Sequence, residues 1–453
     1  MSLVPWLLLA LLTTRAVGPA LAHGGGIGAA GRSTLRLPTW LVLLTGGTAV
    51  GASFLLSSFV TDRTLIRAID GWRRRLPWPG RPATLTGRLL GLLVLATVLV
   101  VGFVGPSTSA NLAVFLVWVG WWAGFTMLSY LVGNAWPALN PWRTIAGILP
   151  SIDRSYPRGI GSWPALVGLL ALVWLEVVTP LASKPAQLAA VVLGYTAMTL
   201  AGAVLIGPAA WFRFVDPVAN VFRNYGRVAP IGRADEGGLE LRLPATALTR
   251  SGSLTAPGDV AFVVALLWAT TFDGLVATPA WGDALGGLAS VGVPPVLVYP
   301  LALLAGFGIF LAAFHLAARL SRRVATTYLA RATLLELVAP SLLAIAAGYH
   351  LAHYLGYFLT YAPAAVAVAA APFAARTAVP TLALPAWFEF VGMAAVLLGH
   401  LLAIWVAHAR AFAAIPDRMD AIRSQAPFVA VMVGYTMTSL WIVAQPEVPV
   451  PYT

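Results

Sequence analysis

His350 and His353 stand three residues apart in Tyr349-His350-Leu351-Ala352-His353-Tyr354, inside an apolar stretch long enough to cross a membrane. That spacing puts both imidazoles on one face of a helix. Ionisable groups in hydrocarbon cost several kcal/mol unless they are paired, protonated or hydrated, so each one here asks for a reason. Few others are present: Glu176 in Trp174-Leu175-Glu176, Asp273 in Phe272-Asp273-Gly274, Glu389 near a helix start, and His400 after Gly399. At 1.5 Å per residue, Glu176, Asp273 and the histidine pair lie about 18, 20 and 24 Å from the arginine-rich ends of their helices. Glu389 falls at the same outer depth and His400 roughly half-way down. Imidazole with carboxylate is a ligand set for zinc, copper, iron or manganese. In that reading His350, His353 and His400 hold a divalent metal ion. Asp273 or Glu176 completes the shell, and the remaining carboxylate is the general base on bound water. The same groups equally make a proton relay, and any one of them can simply bond a neighbouring helix. His315 and His408 lie near cytoplasmic helix ends and suit the interface, and Glu336 suits a cap or an arginine pair.

The elements that must position these residues are membrane helices. The chain of 453 residues is 59% hydrophobic and 10% charged, against roughly a quarter charged in soluble domains. Residues 1–22 read as a secretory signal peptide: an apolar core from Leu3 to Leu12, the breakers Gly18 and Pro19, then Ala20-Leu21-Ala22. Arg15 after the core and the lack of a basic start leave an uncleaved first helix as the alternative. Cleavage after Ala22 exposes His23, whose amine and imidazole together chelate copper, or which merely starts a flexible exported terminus. Residues 23–453 then form a single transmembrane helical domain. Its apolar stretches fall at 40–60, 89–107, 112–133, 164–182, 187–211, 260–278, 295–318, 334–357, 386–408 and 425–444. The predicted fold class is all-α, a polytopic helical membrane protein of about ten transmembrane helices. The alanine-rich run 362–376, with Pro363 and Pro372, suits an external or re-entrant segment.

Orientation follows from charge, because Lys and Arg accumulate on the cytoplasmic side. An external mature N-terminus places loops 61–88, 134–163, 212–259, 319–333 and 409–424 inside, and these hold 7, 3, 6, 4 and 3 Arg, or 23 of the 28 basic residues. The C-terminus is then external too, and the expected location is the cell membrane. The net charge of +12 is thus mostly a topology signal, with anionic inner-leaflet lipid as a natural contact and no nucleic-acid partner. Within the cytoplasmic loop 212–259, alternating Leu239, Leu241 and Leu243 predict a short hairpin. A weak parallel repeat relates helix pairs starting near 89 and 164, each ending in an Asx-Pro turn, Asn140-Pro141 and Asp216-Pro217. The chain has no Cys, which removes thiolate ligands and nucleophiles, and it lacks a Walker loop, a dinucleotide fingerprint and a Gly-x-Ser-x-Gly elbow.

Several segments in shared order resemble a family of polytopic membrane proteins labelled fenitrothion hydrolase. They are Ala22-His23-Gly24, Leu139-Asn140-Pro141-Trp142-Arg143-Thr144, Phe222-Arg223-Asn224-Tyr225-Gly226-Arg227-Val228-Ala229-Pro230, Thr271-Phe272-Asp273-Gly274 with Thr278-Pro279 and Trp281, Gly348 to Tyr354, and Gly399-His400 with Ala407-His408. The resemblance implies organophosphate triester cleavage by a metal-activated water, with Asp273, His350, His353 and His400 as the positions carried over. The leading expectation is therefore a membrane-embedded, metal-dependent hydrolase of an ester or phosphoester, its centre facing the external side. The alternatives are a proton- or cation-coupled secondary transporter of a small molecule or ion, for which Pro180, Pro208, Pro300 and Pro340 supply broken helices, and a non-catalytic subunit with membrane-protein partners.

Overall fold

The computed structural model describes residues 39–450 apart from 78, 79, 235, 236, 253, 377, 447 and 449. The expected signal peptide and His23 lie outside the described residues. A chain segment in lipid must satisfy its backbone amides internally, and a helix does so. Nine helices among the described residues are long and apolar enough to cross a membrane, which makes this an all-α polytopic membrane protein. They are α1 (Thr39–Ser58), α2 (Arg81–Val104), α3 (Leu112–Leu131), α5 (Pro185–Ile206), α7 (Asp259–Val276), α8 (Pro295–Val324), α9 (Leu342–Ala370), α10 (Glu389–Ala414) and α11 (Arg418–Val443).

One expected span and the alanine-rich run differ. The stretch 164–182 yields α4 (Trp163–Val178), whose 16 residues rise about 24 Å, short of a typical hydrocarbon core. It stops at Thr179, just before Pro180. The run 362–376 is no separate segment, because α9 continues through Pro363 to Ala370. A proline forfeits one backbone bond, which neighbouring helices make tolerable in a bundle.

Helix α7 is the centre of the bundle. All of its residues but Val260 and Leu275 are buried, so it is apolar on every side, as an interior helix must be. It packs against α4, α8 and α9. α9 lies along α10 through a crossing of two glycines: a Cβ on Gly348 would stand 2.5 Å from the Ala395 carbonyl oxygen, and one on Gly399 2.6 Å from that of Ala344.

The five arginine-rich loops meet at one end. Strand β1 (Arg73–Leu76) from the first pairs antiparallel with β3 (Leu239–Arg242) from the third, which pairs in turn with β2 (Ile231–Arg233). Ser162 donates to Asp259 at 2.5 Å, Thr326 N–H to Asp420 at 3.1 Å, Arg63 to the Ile415 carbonyl at 2.8 Å, and Arg410 to the carbonyls of Leu248 at 3.0 Å and Arg250 at 2.5 Å. The hairpin forms as its alternation predicts, but turned over: Glu240 and Arg242 are buried while Leu239 and Leu241 are half-buried. Pairing makes that arrangement tolerable. Glu240 receives Arg250 at 2.8 Å and Arg242 at 3.5 Å, and Arg242 also donates to the Ala229 carbonyl at 3.1 Å.

The repeat is visible at its turns. Asn140 (φ −67°, ψ 108°) and Asp216 (φ −69°, ψ 113°) adopt one backbone conformation, each followed by Pro at the first helical position. Each side chain caps its helix, Asn140 accepting from Arg143 N–H at 2.9 Å and Asp216 from Ala219 N–H at 2.7 Å. The helices so capped are Pro141–Ala146 and α6 (Pro217–Tyr225). Between the two hairpins lies a cavity of 460 Å³ walled by α2, α3, α4, α5 and α6.

Candidate functional site

Three of the residues singled out in the sequence come together at the bundle centre. Asp273 enters from α7, His350 and His353 from α9. One carboxylate oxygen of Asp273, Oδ2, accepts the Tyr354 hydroxyl at 2.5 Å and lies 3.3 Å from His353 Nε2. The imidazole of His350 stacks on the Tyr354 ring at 4.5 Å between centroids, and its Nδ1 shares a hydrogen bond with the Tyr130 hydroxyl at 3.0 Å. The His350 ring also faces the Trp122 backbone. Tyr225 of α6 packs on the same imidazole at 5.9 Å. Because Tyr130 ends α3 and Tyr225 belongs to the 212–259 segment, the cluster reaches toward the arginine-rich end and is not confined to the outer half.

Helix periodicity extends the polar stripe outward. His350, Tyr354, Tyr357 and Tyr361 follow at spacings of three or four along α9, and the rings of Tyr354 and Tyr357 lie 6.4 Å apart, those of Tyr357 and Tyr361 5.0 Å apart. Eleven residues of helix carry this ladder about 16 Å through the bundle.

Glu176 sits where the cluster meets the cavity. Glu176 is one of the residues that line the cavity, and its carboxyl lies within electrostatic reach of Asp273, Tyr354 and Tyr357. Trp122 has the same double position, lining the cavity while packing edge-on against His350 at 5.7 Å and Tyr354 at 6.0 Å. It is held by an unusual element: residues Phe115–Phe125 of α3 are wound as a π-helix, a form that concentrates at functional sites. Trp118, Trp121, Trp136, Trp142 and Phe222 add aromatic rings to a lining otherwise made mostly of Leu and Val. The indole N–H groups of Trp118 and Trp136 are buried with no partner among the described residues, while that of Trp122 faces the Tyr354 hydroxyl.

His400 and Glu389 are placed differently. The His400 ring donates from Nδ1 to its own helix at the Val396 carbonyl, 2.8 Å away, and Glu389 is the first residue of α10. His315 likewise bonds its own helix, to the Leu311 carbonyl at 2.9 Å, and His408 ties α10 to the Val60 carbonyl at 2.8 Å. Among the described residues, no three His, Asp or Glu side chains assemble to hold a metal ion. The expected set of His350, His353 and His400 therefore does not fit a shared ion, and His350 already spends Nδ1 on Tyr130.

Tyr225 and Tyr354 stand in segments that the resemblance picks out, but nothing in the sequence marks Tyr130 or Trp122, since tyrosine and tryptophan are ordinary in apolar helices. The spacing of Tyr354, Tyr357 and Tyr361 behind His350 is a further signal.

Comparison with protein-family models, curated proteins and solved structures finds no match to this chain. What bears on its function is the site itself.

Proposed function

We propose that this chain is a proton-coupled secondary transporter of the cell membrane, with its arginine-rich loops in the cytoplasm and both mature termini outside. The observation that carries this reading is the shared wall: Glu176 and Trp122 belong at once to the solute-sized cavity and to the buried Tyr354–Asp273–His353 cluster. A proton arriving on Asp273 or His353 alters the charge beside Glu176, and with it the polarity of the cavity. Conversely, a solute entering the cavity alters the cost of holding charge in the cluster. The tyrosine ladder of α9, with Tyr130 and Tyr225 on the other side, supplies hydroxyls along the path that protons must take. The two hairpins that enclose the cavity are the repeated units whose relative movement would open it to either side.

A metal-dependent hydrolase would need three converging donors, which the described residues do not offer. In liposomes with an imposed pH gradient and a trapped pH dye, apolar solutes small enough for the cavity are expected to evoke proton movement. Asp273→Asn should reduce it at least about tenfold, the scale of losing one positioned proton carrier. An equal response from Asp273→Asn, or none from the unaltered protein across the solute panel, would overturn the reading. Metal analysis separates the alternative, because stoichiometric metal lost in a His350→Ala/His353→Ala double variant would restore the hydrolase.

A further inference from the structure

The arginine-rich end contains a group of guanidiniums that the transport reading does not use. Arg223, near the end of α6, folds back on the preceding chain and donates to the carbonyls of Phe212 at 3.5 Å and Arg213 at 3.0 Å, and to the Asn220 side chain. Its Nε is buried and has no partner among the described residues. Arg213, Arg227 and Arg143 all bear on it, against one carboxylate, Asp259. That carboxylate is already committed. It takes Arg213 at 3.1 and 3.5 Å, the Ser162 hydroxyl at 2.5 Å and the Ala256 N–H at 3.1 Å.

The remaining cations are no better matched. Arg143 is exposed, lies over the Phe212 ring at 5.2 Å, and has no carboxylate within ion-pair distance among the described residues. The acid that faces it, Asp216, is used as the cap of α6. Among the described residues Arg227 donates to the Asn224 side-chain oxygen, at 3.0 Å, and to no carboxylate. Burial, and then the neighbouring Arg213 and Arg227, bring the Arg223 guanidinium down to about 9 from its usual value. Four guanidiniums thus share two carboxylates, of which Asp259 is committed on both oxygens and Asp216 uses Oδ1 as the cap. A guanidinium fork matches phosphate as well as carboxylate, and the several oxygens of a tetrahedral oxyanion can serve more forks at once than one carboxylate can.

We propose that Arg143, Arg213, Arg223 and Arg227 form a binding site for a phosphate group, presented either by a phospholipid headgroup or as free phosphate. Arg223 is the floor of the site and Arg143 its exposed rim, through which the anion enters. The site lies between the capped start of α6 and the Asp259 start of the central helix α7, so an occupant there ties the second hairpin to the bundle core.

The test uses the full chain in detergent, with two probes. Inorganic phosphate is titrated against the thermal unfolding midpoint, and phosphatidylglycerol retained through purification is counted by native mass spectrometry. Arg143→Gln removes no hydrogen bond and should weaken the probe that binds on the order of tenfold, the loss of one charge-assisted contact. Arg158→Gln, an equal charge change in an exposed loop of the same end, should leave binding intact. A saturable response to phosphate assigns the free anion, whereas retained lipid without that response assigns the headgroup. Binding of neither probe, or equal losses in Arg143→Gln and Arg158→Gln, overturns the site. Arg223→Gln should abolish binding; should it fail to fold, the Arg143 and Arg158 pair decides alone.

Discussion

At the scale of single residues, the cluster turns on one oxygen. Asp273 Oδ2 takes both the Tyr354 hydroxyl and His353, so Tyr354→Phe removes one group that holds it. A hydrogen bond contributes about 0.5–1.5 kcal/mol. Tyr354→Phe should lower stability in detergent by that amount and slow solute-evoked proton movement, and unchanged values for both would show the contact to be idle. Asp216 offers a different test, outside the membrane-spanning helices. Burial raises its carboxyl from 3.8 to about 6, against the pull of the Ala219 N–H and Arg143. A raised folded value means that the folded chain holds the proton more tightly than the unfolded chain. The resulting stability, on the order of 2–3 kcal/mol, is complete below about pH 4 and lost as pH rises through about 6. Asp216→Asn keeps the cap, as Asn140 does in the other hairpin, and removes the titration. Its unfolding midpoint should match the unaltered protein near pH 4 and exceed it above pH 6; parallel profiles would refute the assignment. The sequence exposed Asp273, His350 and His353, because titratable groups stand out in apolar stretches. It could not show that His400 is held by its own helix, or that Glu176 borders a cavity. Depth is read along a helix, whereas lateral position depends on packing.

At the scale of elements, the α9–α10 crossing sets where the cluster can form. Gly348 and Gly399 let the two backbones meet, and a side chain on either strikes a carbonyl of the partner helix. Gly348→Val adds three carbons where no space exists, and overpacking of this kind costs about 1–3 kcal/mol or more. The expected result is a fall in unfolding midpoint together with loss of proton movement, since His350 lies two residues along the same helix. A variant of normal stability would show that the helices can separate without harm. Most helices were readable from apolar length alone. The shortness of α4, the continuation of α9 past Pro363 and the π-wound part of α3 were not, because each depends on neighbours that supply or withhold backbone partners. The overturned hairpin is similar: alternation located β3, but the buried face was decided by ion pairs reaching Glu240 from three arginines, Arg250, Arg242 and Arg73, the last from a loop more than 150 residues away.

At the scale of the whole molecule, charge and packing agree by independent routes. The arginine count grouped five loops, and the structure joins those same loops through β1–β3, Ser162–Asp259, Thr326–Asp420 and the Arg63 and Arg410 contacts. That agreement defines two ends but not which faces the cytoplasm, and the lack of any cysteine makes the question easy to pose. Ser251→Cys places one thiol in the exposed 212–259 segment, and Ser290→Cys places one at the exposed end of the helix Pro279–Ser290 on the opposite side. With the arginine-rich end in the cytoplasm, a membrane-impermeant maleimide should label Ser290→Cys in intact cells and Ser251→Cys only after permeabilisation. The reverse pattern would invert the molecule and place the phosphate site outside, where it would meet neither inner-leaflet headgroups nor cytoplasmic phosphate. The proton path would survive that inversion, but its direction relative to the cavity would not.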